Sequence, residues 1–421
     1  MSADVVERKR WIIPAALLLS VVISYIDRSN LSYALPKIAE DYGWDTAATG
    51  KWGEFLFIAF FFSYGLANLL FSPIAERKGP RKSIMFAVVA FSLFTIAGAA
   101  VAKVFALFFV TRILLGLGEG IHWPMNSKLI KNWFPVNERS RANGMWTAGI
   151  IIAFLIAPVV LVPIIDRFGW KFMLVAVGIA GMLITLPLLY FFIYDTPRQA
   201  PWLSAAEADE IEAGMEADEP RLEGGYWQQM KPVLSQPVFW IMMLGGIFNN
   251  AASHGIMSWL PTYFVKERGI EFSSLWWASS LPNLAGVLGI ALWAWVGDRW
   301  KKRALLSGIC YLATGAIALI ATTSGSIYTC VGIFSVAVFF QMAYTSQEFA
   351  LVQRIIPKER TGTGSGFYNG ASMLVGGVAG NLTIGQVVSA TGSYQAGIIA
   401  LLSFAALAGI TMIVLARKLK Y

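Results

Sequence analysis

The chain has 421 residues but only two cysteines, Cys310 and Cys330, and two histidines, His122 and His254. So few soft ligands exclude a cysteine and histidine metal cluster. The two thiols fall toward opposite ends of neighbouring apolar stretches, which argues against a disulfide, and both read as packing residues. There is no phosphate loop, and histidine at only two positions yields no Ser-His-Asp set, so the residues a multi-span enzyme would need are missing. Charge is scarce too. Asp, Glu, Lys and Arg make up 14% of the chain against 57% hydrophobic residues, and the mean hydropathy is +0.60, whereas soluble domains carry about 25% charged residues. What is abundant is long apolar sequence, and it does not alternate as the strands of a membrane barrel do: "FAVVAFSLFTIAGAAV" is apolar throughout.

A helix needs roughly 20 mostly apolar residues to cross a hydrocarbon core of about 30 Å. Twelve such windows are expected, at 11–35, 54–73, 82–101, 104–126, 141–163, 170–194, 236–262, 276–297, 304–322, 327–353, 361–388 and 395–417. The fold class is therefore an all-α membrane protein. "MSADVVERKR" is a short polar tail leading into a first span too long for a cleaved signal, so that span is expected to stay. A net charge of +8 raises the question of nucleic acid, but the basic residues are sorted by topology. With both termini on one side, 24 of the 33 Lys and Arg fall on that side, 7 on the other and 2 within spans. This positive-inside bias places both termini in the cytoplasm and needs no nucleic acid to explain it.

The chain repeats itself. "SPIAERKGPRKS" follows the second span and "WVGDRWKKRA" the eighth, so Glu76-Arg77 and Asp298-Arg299 are 222 residues apart (298 − 76). "FPVNERSRANG" follows the fourth span and "IPKERTGTGSG" the tenth, so Glu138-Arg139 and Glu359-Arg360 are 221 apart (359 − 138). Two landmarks with nearly one shift imply two six-helix halves in parallel repeat. The expected organisation is an amino-terminal bundle over 1–194, a polar linker over 195–235 rich in Glu and Asp, and a carboxyl-terminal bundle over 236–421. Within the linker, Ser204 followed by Glu207 has the spacing of a capping box and predicts the start of a short surface helix.

Together with "RILLGLGEGIHWP", these motifs resemble the major facilitator superfamily over almost the whole chain. "YIDRSNLSYALP" in the first span is similar to its anion:cation symporter family, which includes bacterial sugar-acid and phthalate permeases and vesicular glutamate and sialic acid carriers. The loop motif departs from the family's: Ser72, Glu76 and Pro80 replace its first Gly, its Asp and an Arg, and Lys301 stands at the second Gly of the second copy.

An ionised side chain at the bilayer centre costs about 2.5–3.5 kcal/mol even on lenient scales, so such groups face a cavity or one another. Asp27 and Arg28 lie in the first span, and Arg112 and Glu119 in the fourth. Seven residues at about 100° each return to within about 20°, so Arg112 and Glu119 share one face, with His122, Trp123 and Asn126 close to the same stripe. Asp27 and Arg28 diverge by about 100°, and each is expected to find a partner of opposite sign on that stripe. A cluster of two acids and two arginines in the amino-terminal half follows. Arginine keeps its charge and forks onto carboxylates, which suits an organic anion. An anion that engages Arg28 or Arg112 weakens the counterion effect on Asp27 or Glu119, so the acid takes up a proton, and the two bindings favour each other.

The resemblance implies the same assignment: Asp27 and Glu119 in proton coupling, Arg28 and Tyr25 in substrate contact, and Asn369 of "GFYNGAS" as a substrate-contacting amide. A glutamine of those permeases has no counterpart, Ile150 standing in its place. In the second half, His254 is either a substrate ligand or a satisfied interior histidine, and His122 is read as a cavity or relay group. Trp259 and Tyr368 are candidates for an aromatic cavity wall, and Glu348 either belongs to a gate or faces water. The loop charges Glu76, Arg77, Arg81, Glu138, Arg139, Asp298, Arg299, Glu359 and Arg360 are expected to bridge helix ends across the cytoplasmic face as gates. The expected function is proton-coupled import of a small organic anion (a sugar acid, aromatic carboxylate or dicarboxylate) by a monomer in the bacterial inner membrane. It requires no cofactor, and its partners are the anion, protons and membrane lipid. An anion exchanger or a sodium-coupled carrier is the alternative.

Overall fold

A helix satisfies its own backbone N–H and C=O groups, which no open sheet edge does in hydrocarbon. The structure, a computed structural model, describes residues 8–215, 226–356 and 361–419. Within them every long element is an α-helix. The amino-terminal half holds α1 (Ile12–Asp41), α2 (Thr46–Lys78), α3 (Pro80–Ala100), α4 (Phe105–Glu119), α5 (His122–Trp133), α6 (Val136–Phe168), α7 (Trp170–Ala180) and α8 (Leu186–Phe192). The linker holds α9 (Ala205–Gly214) and α10 (Tyr226–Leu234). The other half holds α11 (Pro237–Lys266), α12 (Leu275–Trp300), α13 (Arg303–Thr323), α14 (Ile327–Ile355), α15 (Thr361–Thr391) and α16 (Tyr394–Lys418).

Two of the expected spans are broken helices. α4 and α5 form one span, Phe105–Trp133, interrupted immediately after Glu119. α7 and α8 form another, joined by a π-helical turn at Gly181–Thr185. Pro187 explains the second break: it has no N–H for the carbonyl of Leu183 and its ring crowds that carbonyl, so the turn before it widens. Among the described residues eleven helices are long and apolar enough to cross a membrane. The twelfth expected span, α11, has 30 residues and hence the length, about 45 Å. It carries Asn249, Asn250, Ser253 and His254 where the other spans are oilier, because it lies against α15 and α16 with those groups turned to the protein interior.

The repeat is visible in detail. Gly79 ends α2 with φ 96° and Lys301 ends α12 with φ 59°, and the two are 222 residues apart (301 − 79). The second copy thus puts a side chain in the left-handed region where the first has glycine, and Lys301→Gly is expected to stabilise the protein by about 1 kcal/mol. A higher Tm in detergent checks this.

The halves meet along α2 against α15, α1 against α11 and α6 against α12. At the end of the bundle away from the chain termini, the distal end, Lys266 of α11 pairs with Glu40 of α1 at 3.1 Å and Trp259 of α11 packs against Phe57 of α2. At the opposite end the linker is bolted to the amino-terminal half. Ser204 caps α9 by accepting from Glu207 N at 3.2 Å, as its spacing predicts. The Glu207 carboxylate does not reach back to complete the box; it accepts from the backbone N–H groups of Lys9 and Arg10 at 3.1 and 3.0 Å. Arg198 bonds Glu212 and Asp209, and that pairing holds the Glu212 carboxyl below its usual range. Both cysteines are free and buried.

Candidate transport site

Asp27 and Arg28 sit in the middle of α1 because the residues around them, from Ile12 to Ala39, bury that helix against its neighbours. Arg28 forks onto one oxygen of Glu119, with Nη2 at 2.8 Å and Nε at 3.1 Å from Oε1, and Ser24 donates to the same oxygen at 2.7 Å. The guanidinium lies between the rings of Tyr25 and Tyr64, its Cζ 4.3 Å from each centroid. Glu119 Oε2 is buried without a partner. One ion pair of the expected cluster is therefore direct.

The second is relayed. Asp27 accepts from Asn30 Nδ2 at 2.7 Å and from Thr95 Oγ1 at 2.8 and 3.0 Å, and Arg112 Nη1 donates to Asn30 Oδ1 at 3.3 Å. Asn30, one turn along α1, carries the contact between acid and arginine in place of a direct bridge. Arg112 packs on Phe108, and its Nε and Nη2 are buried with no partner. Its approach to α3 depends on Gly98, where a Cβ would lie 3.0 Å from Nη2. Both arginines line one small cavity between the halves, together with Ser29, Phe154, His254 and Ser258. Two guanidinium groups and a histidine on a wall otherwise of phenylalanine, aliphatic and serine side chains suit a small anion with a compact apolar or hydroxylated body.

The spacing of α2 and α4 sets this geometry. A Cβ on Gly116 would stand 2.1 Å from Ser63 Oγ and 2.6 Å from Phe60 O, and one on Gly120 2.5 Å from Tyr64 O. Gly116→Ala is expected to cost about 1–3 kcal/mol by overpacking and to displace Tyr64 from Arg28. A lower Tm and a reduced yield of monodisperse protein check it.

Comparison with known proteins places the chain. The model of the Major Facilitator Superfamily matches residues 17–381. The protein belongs to that superfamily. Its curated relatives include a probable galactarate/D-glucarate transporter of Bacillus subtilis, 27% identical over 93% of this chain and 88% of the relative. A D-galactonate transporter of Escherichia coli is 26% identical over 91% and 90%, and a hexuronate transporter of Bacillus subtilis 27% over 90% and 88%. These names fit the anion:cation symporter family. The superfamily comprises transporters, not enzymes, and this facilitator is a multi-pass membrane protein. Its fold is that of a bacterial homolog of the human lysosomal transporter Spinster, solved inward-facing and unoccupied, with TM-score 0.80 at 17% identity over 98% of both chains. A D-xylose-proton symporter superposes with TM-score 0.74 at 16% identity over 95% of this chain and 96% of that one.

The facilitator fold makes the two halves comparable, and here they differ in charge. Gln341 stands 222 residues after Glu119 (341 − 119) and Ser253 stands 225 after Arg28 (253 − 28). Gln341 Nε2 donates to Ser253 Oγ at 2.6 Å, reproducing the Arg28 and Glu119 contact with neutral partners. Tyr311 completes that network, with Asn249 Oδ1 at 2.5 Å and Ser253 Oγ at 3.1 Å.

Other expected site residues fall elsewhere. His122 is buried, bonded to Ser20 at 2.9 Å, and is not among the residues lining this cavity; His254 lines the cavity, 5.0 Å from the Phe61 ring. Trp259 is buried in the distal seam against Gly53 and Phe57 and does not face the cavity. Tyr368 is buried and donates to Glu348 at 2.7 Å, which places Glu348 beside α15 and gives it a protein partner. Asn369 follows it, half-buried.

The loop charges bridge helix ends within their own half or to the adjoining linker, and none of the described pairs joins the two halves. Glu76 bonds Lys128 at 2.6 Å, Glu138 lies 3.4 Å from Arg10, and Asp298 bonds Arg303 at 2.5 Å. Arg81 bonds Asp195 through its backbone N–H and Tyr190 O through Nη2. Arg139 donates to Phe134 O, Arg299 lies over Trp295, and Arg77 is exposed. Glu76 with Lys128 and Asp298 with Arg303 are largely exposed, and an exposed pair gains too little to hold two halves together. Glu359 and Arg360 lie outside the described residues.

Sequence reasoning missed Ser24, Asn30, Tyr64 and Thr95. Ser24 precedes Arg28 by four residues and Asn30 follows Asp27 by three, so helical spacing marks both. Tyr64 and Thr95 come from other helices, and no spacing signals them.

Proposed function

We propose that the protein imports a small organic anion, of the size of a sugar acid, by proton symport through alternating access. The observation that carries this reading is the pairing of Arg28 with Glu119 on the wall of a cavity that also holds the partly unsatisfied guanidinium of Arg112. An incoming carboxylate competes with Glu119 for Arg28. Released from its counterion in a buried place, Glu119 takes up a proton, so anion and proton enter together. Asp27, held by Asn30 and Thr95, answers Arg112 in the same way. Tyr25 orients Arg28, and His254 and Asn369 contact the substrate from the second half. The units are the bundles at 1–194 and 236–421 with the linker at 195–235, and both termini face the cytoplasm of a bacterial inner membrane.

The sugar-acid names of the relatives support this substrate class, with Ile150 lowering the number of hydroxyl contacts. The test is proteoliposomes loaded with a pH-sensitive dye and given sugar acids, aromatic carboxylates and dicarboxylates in turn. Interior acidification for one class, lost in Asp27→Asn, is the expected result. Counterflow with no acidification for any class would replace symport by exchange or sodium coupling.

A further inference from the structure

The central cluster does not account for every buried acid. Glu54 lies on α2, near the distal end and well away from Glu119, and is completely buried. It faces the other half of the molecule: Gln386 of α15 donates to Oε1 at 2.6 Å, and Oε2 is buried with no partner. The seam around it is close-packed backbone to backbone. A Cβ on Gly385 would lie 2.3 Å from Glu54 Oε2, and one on Gly50 would lie 2.8 Å from Ser389 N and 2.9 Å from Gly385 O. Among the described residues no cation bonds it, Lys51 acting on it only through space. Of the charged groups nearby, Lys51 is one turn earlier on the same helix and exposed. Asp45 caps α2, while Glu40 with Lys266 and Glu267 with Ser393 and Tyr394 are engaged at the distal end. From α15 the facing group is the neutral Gln386, and from α11 it is Trp259.

An ionised carboxylate with one amide donor and a bare oxygen in such a seam is strongly disfavoured, whereas a protonated one keeps the Gln386 bond at Oε1 and leaves only a neutral O–H unpaired, a smaller penalty than a buried charge. Opening the seam, as alternating access requires, would admit water to Glu54 and remove that penalty. We infer that Glu54 is a proton-binding site separate from the central cluster, protonated when the distal seam is closed and ionised when it opens. Proton binding there draws α2 and α15 together, and proton loss lets them part. The sign follows from linkage: the closed state binds the extra proton, so falling pH favours closure and rising pH favours opening. The inference rests on the alternating-access part of the proposed function and not on the identity of the anion.

The experiment uses the full chain in nanodiscs with Cys310→Ala and Cys330→Ala, and spin labels at Ala47→Cys and Thr391→Cys on opposite sides of the seam. Distances are read by double electron–electron resonance between about pH 5 and about pH 8. A short distance at low pH and a long-distance population growing with pH are expected. Glu54→Gln, which mimics the neutral acid, should match this reference protein at low pH and hold about threefold less of the long-distance population at high pH. A purely packing role would shift Glu54→Gln at every pH alike. Identical pH dependence in Glu54→Gln and the reference overturns the inference and leaves alternating access standing. A single short distance in the reference at every pH, with or without substrate, overturns both. Should Glu54→Gln fail to fold, Gln386→Leu serves: it keeps the acid, so it should retain the pH dependence with more of the long distance throughout, and loss of the pH dependence would overturn the inference.

Discussion

Arg28→Ala is expected to weaken binding of the transported anion by about 100-fold or more, equivalent to about 2.7 kcal/mol, read by isothermal titration calorimetry on purified protein. Two losses combine. The anion loses a planar, permanently charged fork fixed between Tyr25 and Tyr64, and Glu119 loses its cationic partner and, among the described residues, keeps Ser24. Arg28→Lys retains the charge but neither the fork nor the flat face that stacks on two rings, so it should recover about tenfold over alanine and no more. An unchanged isotherm in Arg28→Ala would remove this residue from the site.

Glu119→Gln should abolish accumulation against a gradient while counterflow persists. On the proposed mechanism the anion displaces Glu119 from Arg28, and displacement is favoured when the acid is protonated. Affinity is therefore expected to fall as pH rises, by up to about tenfold per pH unit where one proton is taken up per anion. Glutamine is fixed in the neutral form, so its binding should be nearly independent of pH and, above neutrality, tighter than wild type. Asp27→Asn should likewise lose accumulation, since its carboxylate is the other titratable group in the cluster, but with less effect on affinity because it answers Arg112 only through Asn30. Full accumulation in both variants would end the coupling role of these acids.

How much of this was legible beforehand depends on the kind of signal. Apolar runs of about 20 residues report helices because hydrocarbon forces backbone groups to pair internally, and the repeated acid-arginine landmarks report two halves because they recur at one offset. The intramembrane charges were equally visible, since any charge in such a run requires a cavity or a partner. The partners themselves were not. Helical geometry put Arg112 and Glu119 on one face, but Asn30 intervenes between Asp27 and Arg112, and Tyr64 and Thr95 arrive from helices whose rotation no local pattern records. The partners of the loop charges were hidden for a related reason: composition shows that a basic cluster exists, while proximity in the folded chain decides that Glu76 meets Lys128 and Glu138 meets Arg10. Glu54 was overlooked because a single acid at the end of an apolar run reads as a solvated helix terminus.

Hydropathy and charge placement act locally along the chain, so apolar runs and recurring landmarks are enough to read a helical membrane protein in two related halves with its intramembrane charges concentrated in one of them. Which acid holds which arginine, that His254 and not His122 meets the cavity, and that Glu54 is sealed between the halves emerge from the folded chain. Those outcomes follow from how closely glycine-bearing faces allow helices from distant parts of the chain to approach, which is a property of their packing and not of any one helix.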